Sequence, residues 1–115
     1  MKYMLLIYGD EAGRKSITEK QMGEMMAAYG AYTKAMRDSG AFVAGDPLQG
    51  SNTATTVRTV NGKTKVLNGP YAETKEQLGG YYIVEAKDLD GALAWASRCP
   101  GAQHGVLEVR PIREM

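Results

Sequence analysis

KYMLLIY, residues 2 to 8, is the stretch that decides the fold. Side chains along a strand alternate between two faces. Tyr3, Leu5 and Ile7 therefore share one face, and Met4, Leu6 and Tyr8 the other. A strand apolar on both faces has to be covered on both. YYIVEA, residues 81 to 86, has the same property, with Tyr81 and Ile83 on one side and Tyr82 and Val84 on the other. Whatever sheet holds these two strands needs something packed against each face.

Working outward, GDEAGRK (residues 9 to 15) is a polar loop, and a helix follows. Thr18 and Gln21 fit a capping box, with Ile17 and Met22 at its staple positions. Ser16 with Glu19 also fits a box, but its staple positions hold Lys15 and Lys20, so Thr18 is the better cap. Met22, Met25, Tyr29, Tyr32 and Met36 then recur at helical spacing, and Gly40 ends the helix. Gly23 and Gly30 cost about 1 kcal/mol each inside a helix. With Ala27 they form a strip of small residues, which implies that a backbone approaches closely there, in the simplest case the helix's own sheet.

AFVAG (41 to 45) reads as a short strand, followed by turn-rich residues 46 to 52. Residues 53 to 60 and 63 to 67 flank Asn61-Gly62, a strong hairpin signal. A two-residue turn sets Thr59 opposite Thr64 and Val57 opposite Val66, and gathers Arg58, Val60, Lys63 and Lys65 on the other face. Asp88 or Asp90 caps a second helix carrying Leu89, Ala92, Leu93, Trp95 and Ala96 on its apolar side. Cys99-Pro100-Gly101 stops it, and GVLEVRPI (105 to 112) is the closing strand.

The order is strand, helix, strand, hairpin, strand, helix, strand. This pattern implies one α+β domain over residues 1–115, a ferredoxin-like βαβ-βαβ sheet with an inserted hairpin and both helices on one face. The other face is then bare. Each large apolar side chain left there forfeits roughly 1.5–3 kcal/mol. A homodimer paired sheet to sheet is the expected remedy, though the same face could hold a ligand.

Composition narrows the function. Of 115 residues, 43% are hydrophobic and 23% charged, which fits a globular chain rather than a disordered one. A formal net charge of +1 carries no basic excess, and the three hairpin cations read as a solvated face, so nucleic acid is not expected as a partner. No apolar run approaches the ~20 residues of a membrane span. The single Cys99 fits a reducing compartment, and the expected location is the cytoplasm. His104 is the lone histidine, so no metal site is expected. No phosphate-binding or dinucleotide motif occurs, so no cofactor is expected either.

NGPYAETKEQLGGYY, residues 68 to 82, resembles the signature of the YCII-related superfamily, in particular its DGPF branch. There the motif is Asp-Gly-Pro-Phe followed by Ala-Glu-Thr-Lys-Glu; this chain has Asn68 for the aspartate and Tyr71 for the phenylalanine. The opening KYMLLIYGDE, AGDPL (44 to 48) and ALAWASRCP (92 to 100) are similar too. The resemblance implies a dimeric α+β barrel and a small-molecule-binding domain or small lyase- or isomerase-like enzyme. It also implies an alternative, a regulatory protein-interaction module tied to transcription, because some members lie near genes for alternative sigma factors. Relatives with such enzymatic activity use a histidine on the first long helix and a nearby acid. The corresponding positions fall near Ala28 and Cys99, and neither residue can play those parts.

The motif also has a physical reading. Asn68-Gly69-Pro70 builds a turn, from which Tyr71 could anchor in a pocket. Thr74 with Gln77 fits a capping box, so residues 75 to 78 would make one helical turn stopped by Gly79-Gly80. That places Glu73, Lys75 and Glu76 at a cleft mouth. The candidate pocket is accordingly Tyr8, Asp46, Asn68, Tyr71, Glu73 and Lys75, with Asp10 joining Tyr8 and Asp46 if the first two strands are neighbours. His104 reads as a solvated loop residue, and Cys99 as a small buried apolar one.

Overall fold

A computed structural model describes residues 1–115. Strand β1 (Lys2–Gly9) leads through a one-turn helix α1 (Glu11–Arg14) into the long helix α2 (Glu19–Asp38), then β2 (Phe42–Pro47). The hairpin strands β3 (Thr55–Val60) and β4 (Lys63–Asn68) follow, then β5 (Gln77–Glu85), helix α3 (Leu89–Arg98) and β6 (Val106–Pro111). Four strands form an antiparallel sheet in the order β2-β5-β1-β6, with β3 and β4 as a separate pair. The fold is ferredoxin-like α+β.

The two-faced strands occupy the middle of that sheet. Leu5 stands opposite Tyr82 on β5 and Val109 on β6, and Tyr3 opposite Val84. These side chains meet Tyr32 and Met36 of α2, Ala92 and Ala96 of α3, and Cys99 in one core. Tyr32 is its hub. Its hydroxyl donates to the Trp95 carbonyl at 2.7 Å, and its ring meets Tyr82 and Trp95 edge-on at 5.4 and 6.0 Å. On the opposite face Met4 and Leu6 lie half-buried beside Tyr81 and Ile83, with no helix over them.

Local signals account for most boundaries. Thr18 and Gln21 form the capping box reciprocally, at 3.0 and 3.1 Å. Gly40 follows the helix at φ 80°, where a side chain would be strained. Asn61 and Gly62 both take positive φ, as a tight hairpin turn demands, and the register sets Val57 opposite Val66 and Thr59 opposite Thr64. The Asp88 carboxylate caps α3 by accepting from the Gly91 N–H at 3.0 Å.

Two expectations fail. Residues 75 to 78 make no helical turn; β5 begins at Gln77 and runs straight through Gly79-Gly80. The glycines enable this rather than stop it. A β-carbon on Gly80 would stand 3.0 Å from the Asp46 carbonyl oxygen, so the bare backbone lets β2 pair closely. The small-residue strip on α2 is also unpacked, since β-carbons on Gly23 and Gly30 would meet nothing within 4 Å. The first half of α2 instead stands off the sheet, with Met22 and Met26 exposed while Tyr32 and Met36 are buried.

Candidate functional site

That lift opens a cleft. On one side of α2, a hollow of about 820 Å³ runs to a 3-10 turn at Pro100–Gln103. On the other, one of about 740 Å³ runs to the β2–β5 edge. Arg14, Met25 and Tyr29 line both. Each volume is in the range of small-molecule sites.

The floor is glycine-rich because the walls come close. A β-carbon on Gly101 would stand 2.6 Å from the Tyr29 hydroxyl and 2.8 Å from Ile7 Cγ2. One on Gly45 would lie 2.6 Å from Tyr82 Cδ1. Tyr82 is pinned by a 2.8 Å hydrogen bond between its hydroxyl and Thr33 Oγ1.

Electrostatics set what the lining can do. Burial pushes the Tyr29 and Tyr32 phenols far above their ordinary range, with the nearby Cys99 adding to both. Tyr29 therefore stays protonated and serves as a hydrogen-bond donor. Burial also pushes up the Cys99 thiol, against the opposing pull of hydrogen bonds from Gly101, Tyr29 and Ala102. A thiol rather than a thiolate is a poor nucleophile. Ala28 lines the larger hollow, and Cys99 is 1% exposed beside Tyr29, so neither position supplies a proton carrier to the cleft.

The structure separates the residues singled out from the sequence. Tyr8 lines the larger hollow and Asp46 the other, with β5 between their strands. Asp46 accepts from the Tyr81 hydroxyl at 2.8 Å, and Asp10 is taken up in capping α1 by accepting from the Ala12 N–H at 3.0 Å. Asn68, Tyr71, Glu73 and Lys75 line neither hollow; all are exposed, Tyr71 at 80% with Arg58 5.8 Å from its ring centre. Tyr71 thus anchors in no pocket of its own chain. Sequence reasoning passed over Arg14 and Tyr29, and it set aside His104, which lines the rim of the larger hollow. Tyr29 had a signal, its place on the helical stripe. Arg14 had none beyond lying in a glycine-flanked loop.

Comparison with known proteins agrees with this architecture. The chain belongs to the YCII-related domain family, which it matches over residues 1–115. An uncharacterised protein of Rhizobium meliloti (strain 1021) is 33% identical over 114 residues, covering 97% of this chain and 92% of that one. Among solved structures, a 5-chloro-2-hydroxyhydroquinone dehydrochlorinase from Burkholderia phenoliruptrix AC1100, in complex with 2,5-dihydroxybenzoquinone, shares the fold at a TM-score of 0.56. The two are 16% identical, with 100% of this chain and 96% of that chain covered.

Proposed function

We propose that this chain binds a small, planar organic molecule in the cleft beneath the first half of α2, and that its chemistry is proton transfer of the lyase or isomerase kind. The observation that carries this reading is the lifted helix itself. A helix end that could rest on its sheet instead stands clear, over Gly101 of the 3-10 turn and beside Tyr8, Tyr29 and Tyr32 in the larger hollow. Flat aromatic walls suit a flat ligand. The dehydrochlorinase of the same fold, held with a quinone, is in keeping with that class of ligand. Of the groups lining the larger hollow, the Tyr29 hydroxyl can hold a ligand oxygen by donating a hydrogen bond, and His104 at the rim is the side chain placed to carry a proton.

A thermal-shift series over aromatic acids, phenols, quinones and lactones tests this. At a concentration about 100 times Kd, a true ligand adds about 2.7 kcal/mol to stability, a shift of several degrees. Ala28→Trp fills the larger hollow from an exposed position, so the variant should fold and lose the shift. A library without a single stabilising compound would count against the reading, as would a shift untouched by that substitution.

In the same reading the working unit is a homodimer. Met4, Leu6, Tyr81 and Ile83 form an apolar surface that a second sheet covers, and every residue of β3 and β4 except Thr56 is exposed. An isolated two-stranded hairpin is marginal in water, so it too calls for a partner surface. The exposed loop from Asn68 through Tyr71 and Glu73 to Lys75 then serves the second copy rather than its own cleft. Sedimentation should return twice the 12.5 kDa chain mass, and Leu6→Glu with Ile83→Glu should return one chain, still folded. A wild-type chain that stays single and folded at micromolar concentration would dismiss the dimer.

A further inference from the structure

Arg14 sits where the two hollows meet, and its guanidinium lies on bare backbone. One of its nitrogens is 2.8 Å from where a Gly9 β-carbon would stand, and both terminal nitrogens are within 3.3 Å of the corresponding point on Gly79. Neither glycine has positive φ, so what their missing side chains provide is room for the guanidinium.

The turn that carries Arg14 is tied down on two sides. The Glu11 N–H donates to the Gln77 side-chain oxygen at 3.0 Å, which fixes the turn to β5. The Glu11 carboxylate accepts from the Ser51 N–H and hydroxyl, each at 2.8 Å, which fixes it to the segment after β2. Such anchoring holds a charged side chain in place before any ligand arrives.

Every other cation lining the hollows is already engaged. Lys34 pairs with Asp38 at 2.6 Å, Arg37 lies 4.1 Å over the Phe42 ring, and Arg98 lies 4.5 Å over the Trp95 ring. The Arg14 guanidinium has neither an ion-pair partner nor a hydrogen-bond acceptor. An arginine fork matches the two oxygens of a carboxylate in one plane.

We propose that Arg14 makes this cleft selective for a small organic carboxylate, gripped through its two oxygens while its ring lies against the tyrosines. The inference rests on the small-molecule reading above and adds the charge of the ligand to it. Benzoate and benzamide, equal in shape and different in charge, are the probes, followed by titration of the backbone amides of Ala28, Tyr29 and Gly79 in NMR spectra. Wild type should hold benzoate about tenfold more tightly than benzamide, the usual scale of a charged hydrogen-bond pair. Arg14→Gln should erase that preference, costing benzoate about tenfold more affinity than it costs benzamide, and Arg14→Lys should restore part of it. Equal affinity of wild type for both probes would overturn the carboxylate assignment and leave the cleft reading standing, as would a preference that survives in Arg14→Gln. Silence of those amides toward both probes would overturn the two together.

Discussion

Gly105→Ala should cost about 3 kcal/mol or more, with Tm falling by roughly 10 °C or more. A β-carbon on Gly105 would overlap the Tyr8 carbonyl oxygen and stand 3.1 Å from its carbonyl carbon and 3.2 Å from Gly9 Cα. All three are backbone atoms, and no rotamer change removes them. Nor can β1 retreat, because β5 is hydrogen-bonded along its other edge. The start of β6 must therefore part from β1, losing the Tyr8–Val106 pairing. The 3-10 turn that closes one wall of the cleft leads directly into this position, so ligand binding should weaken along with stability. Urea and thermal unfolding of the two proteins decide the matter. A variant within 0.5 kcal/mol of wild type, the scatter of neutral surface changes, would mean that β6 does not approach β1 as described.

Leu5→Ala should cost about 2–5 kcal/mol, against roughly 5–15 kcal/mol for the whole stability of a typical domain. Leu5 is 0% exposed on the central strand, under both helices. Removing most of its side chain leaves a cavity that Tyr82 and Val109, fixed by strand pairing, cannot collapse to fill. The informative control is its neighbour. Leu6 points to the uncovered face, so in a dissociated chain Leu6→Ala should cost well under half as much. Urea midpoints with unchanged slopes would report both differences as stability. Equal losses at the two positions would contradict the assigned facing of β1.

Much of the fold was legible because its signals are local. The Thr18–Gln21 box and the Asn61-Gly62 turn each act within a few residues and are found where the sequence puts them, and of the two cap positions it offered for α3 the structure uses Asp88. The alternation of residues 2 to 8 predicted two apolar faces, each in need of cover; the chain buries one under its helices and leaves the other half-buried. Gly79-Gly80 misled because a glycine pair has two physical meanings. It can end a helix through backbone freedom, or admit a neighbouring strand through lack of bulk, and only the tertiary partner, here Asp46 and Pro47, selects between them. The glycines of α2 misled in the opposite sense, having no neighbour where one was inferred.

The site was less legible than the fold. Tyr8 and Asp46 lie on strands that β5 separates, which no spacing along the chain reveals. Arg14 matters only through the company it keeps: two glycines seventy residues apart, a turn tethered by Gln77 and Ser51, and a set of other cations already occupied. None of those relations is local. The Asn68–Lys75 motif is the reverse case, conspicuous as a sequence and exposed in the single chain.

The outline of the molecule bears on how its mass should be judged. A compact chain of this length has a radius of gyration of about 13 Å, whereas this one measures 16.1 Å and spans 47 by 43 by 18 Å. Slab-like particles drag more solvent and elute early from a sizing column, where one copy could pass for two. Light scattering, which weighs particles without reference to their outline, is the measurement suited to a body with this profile.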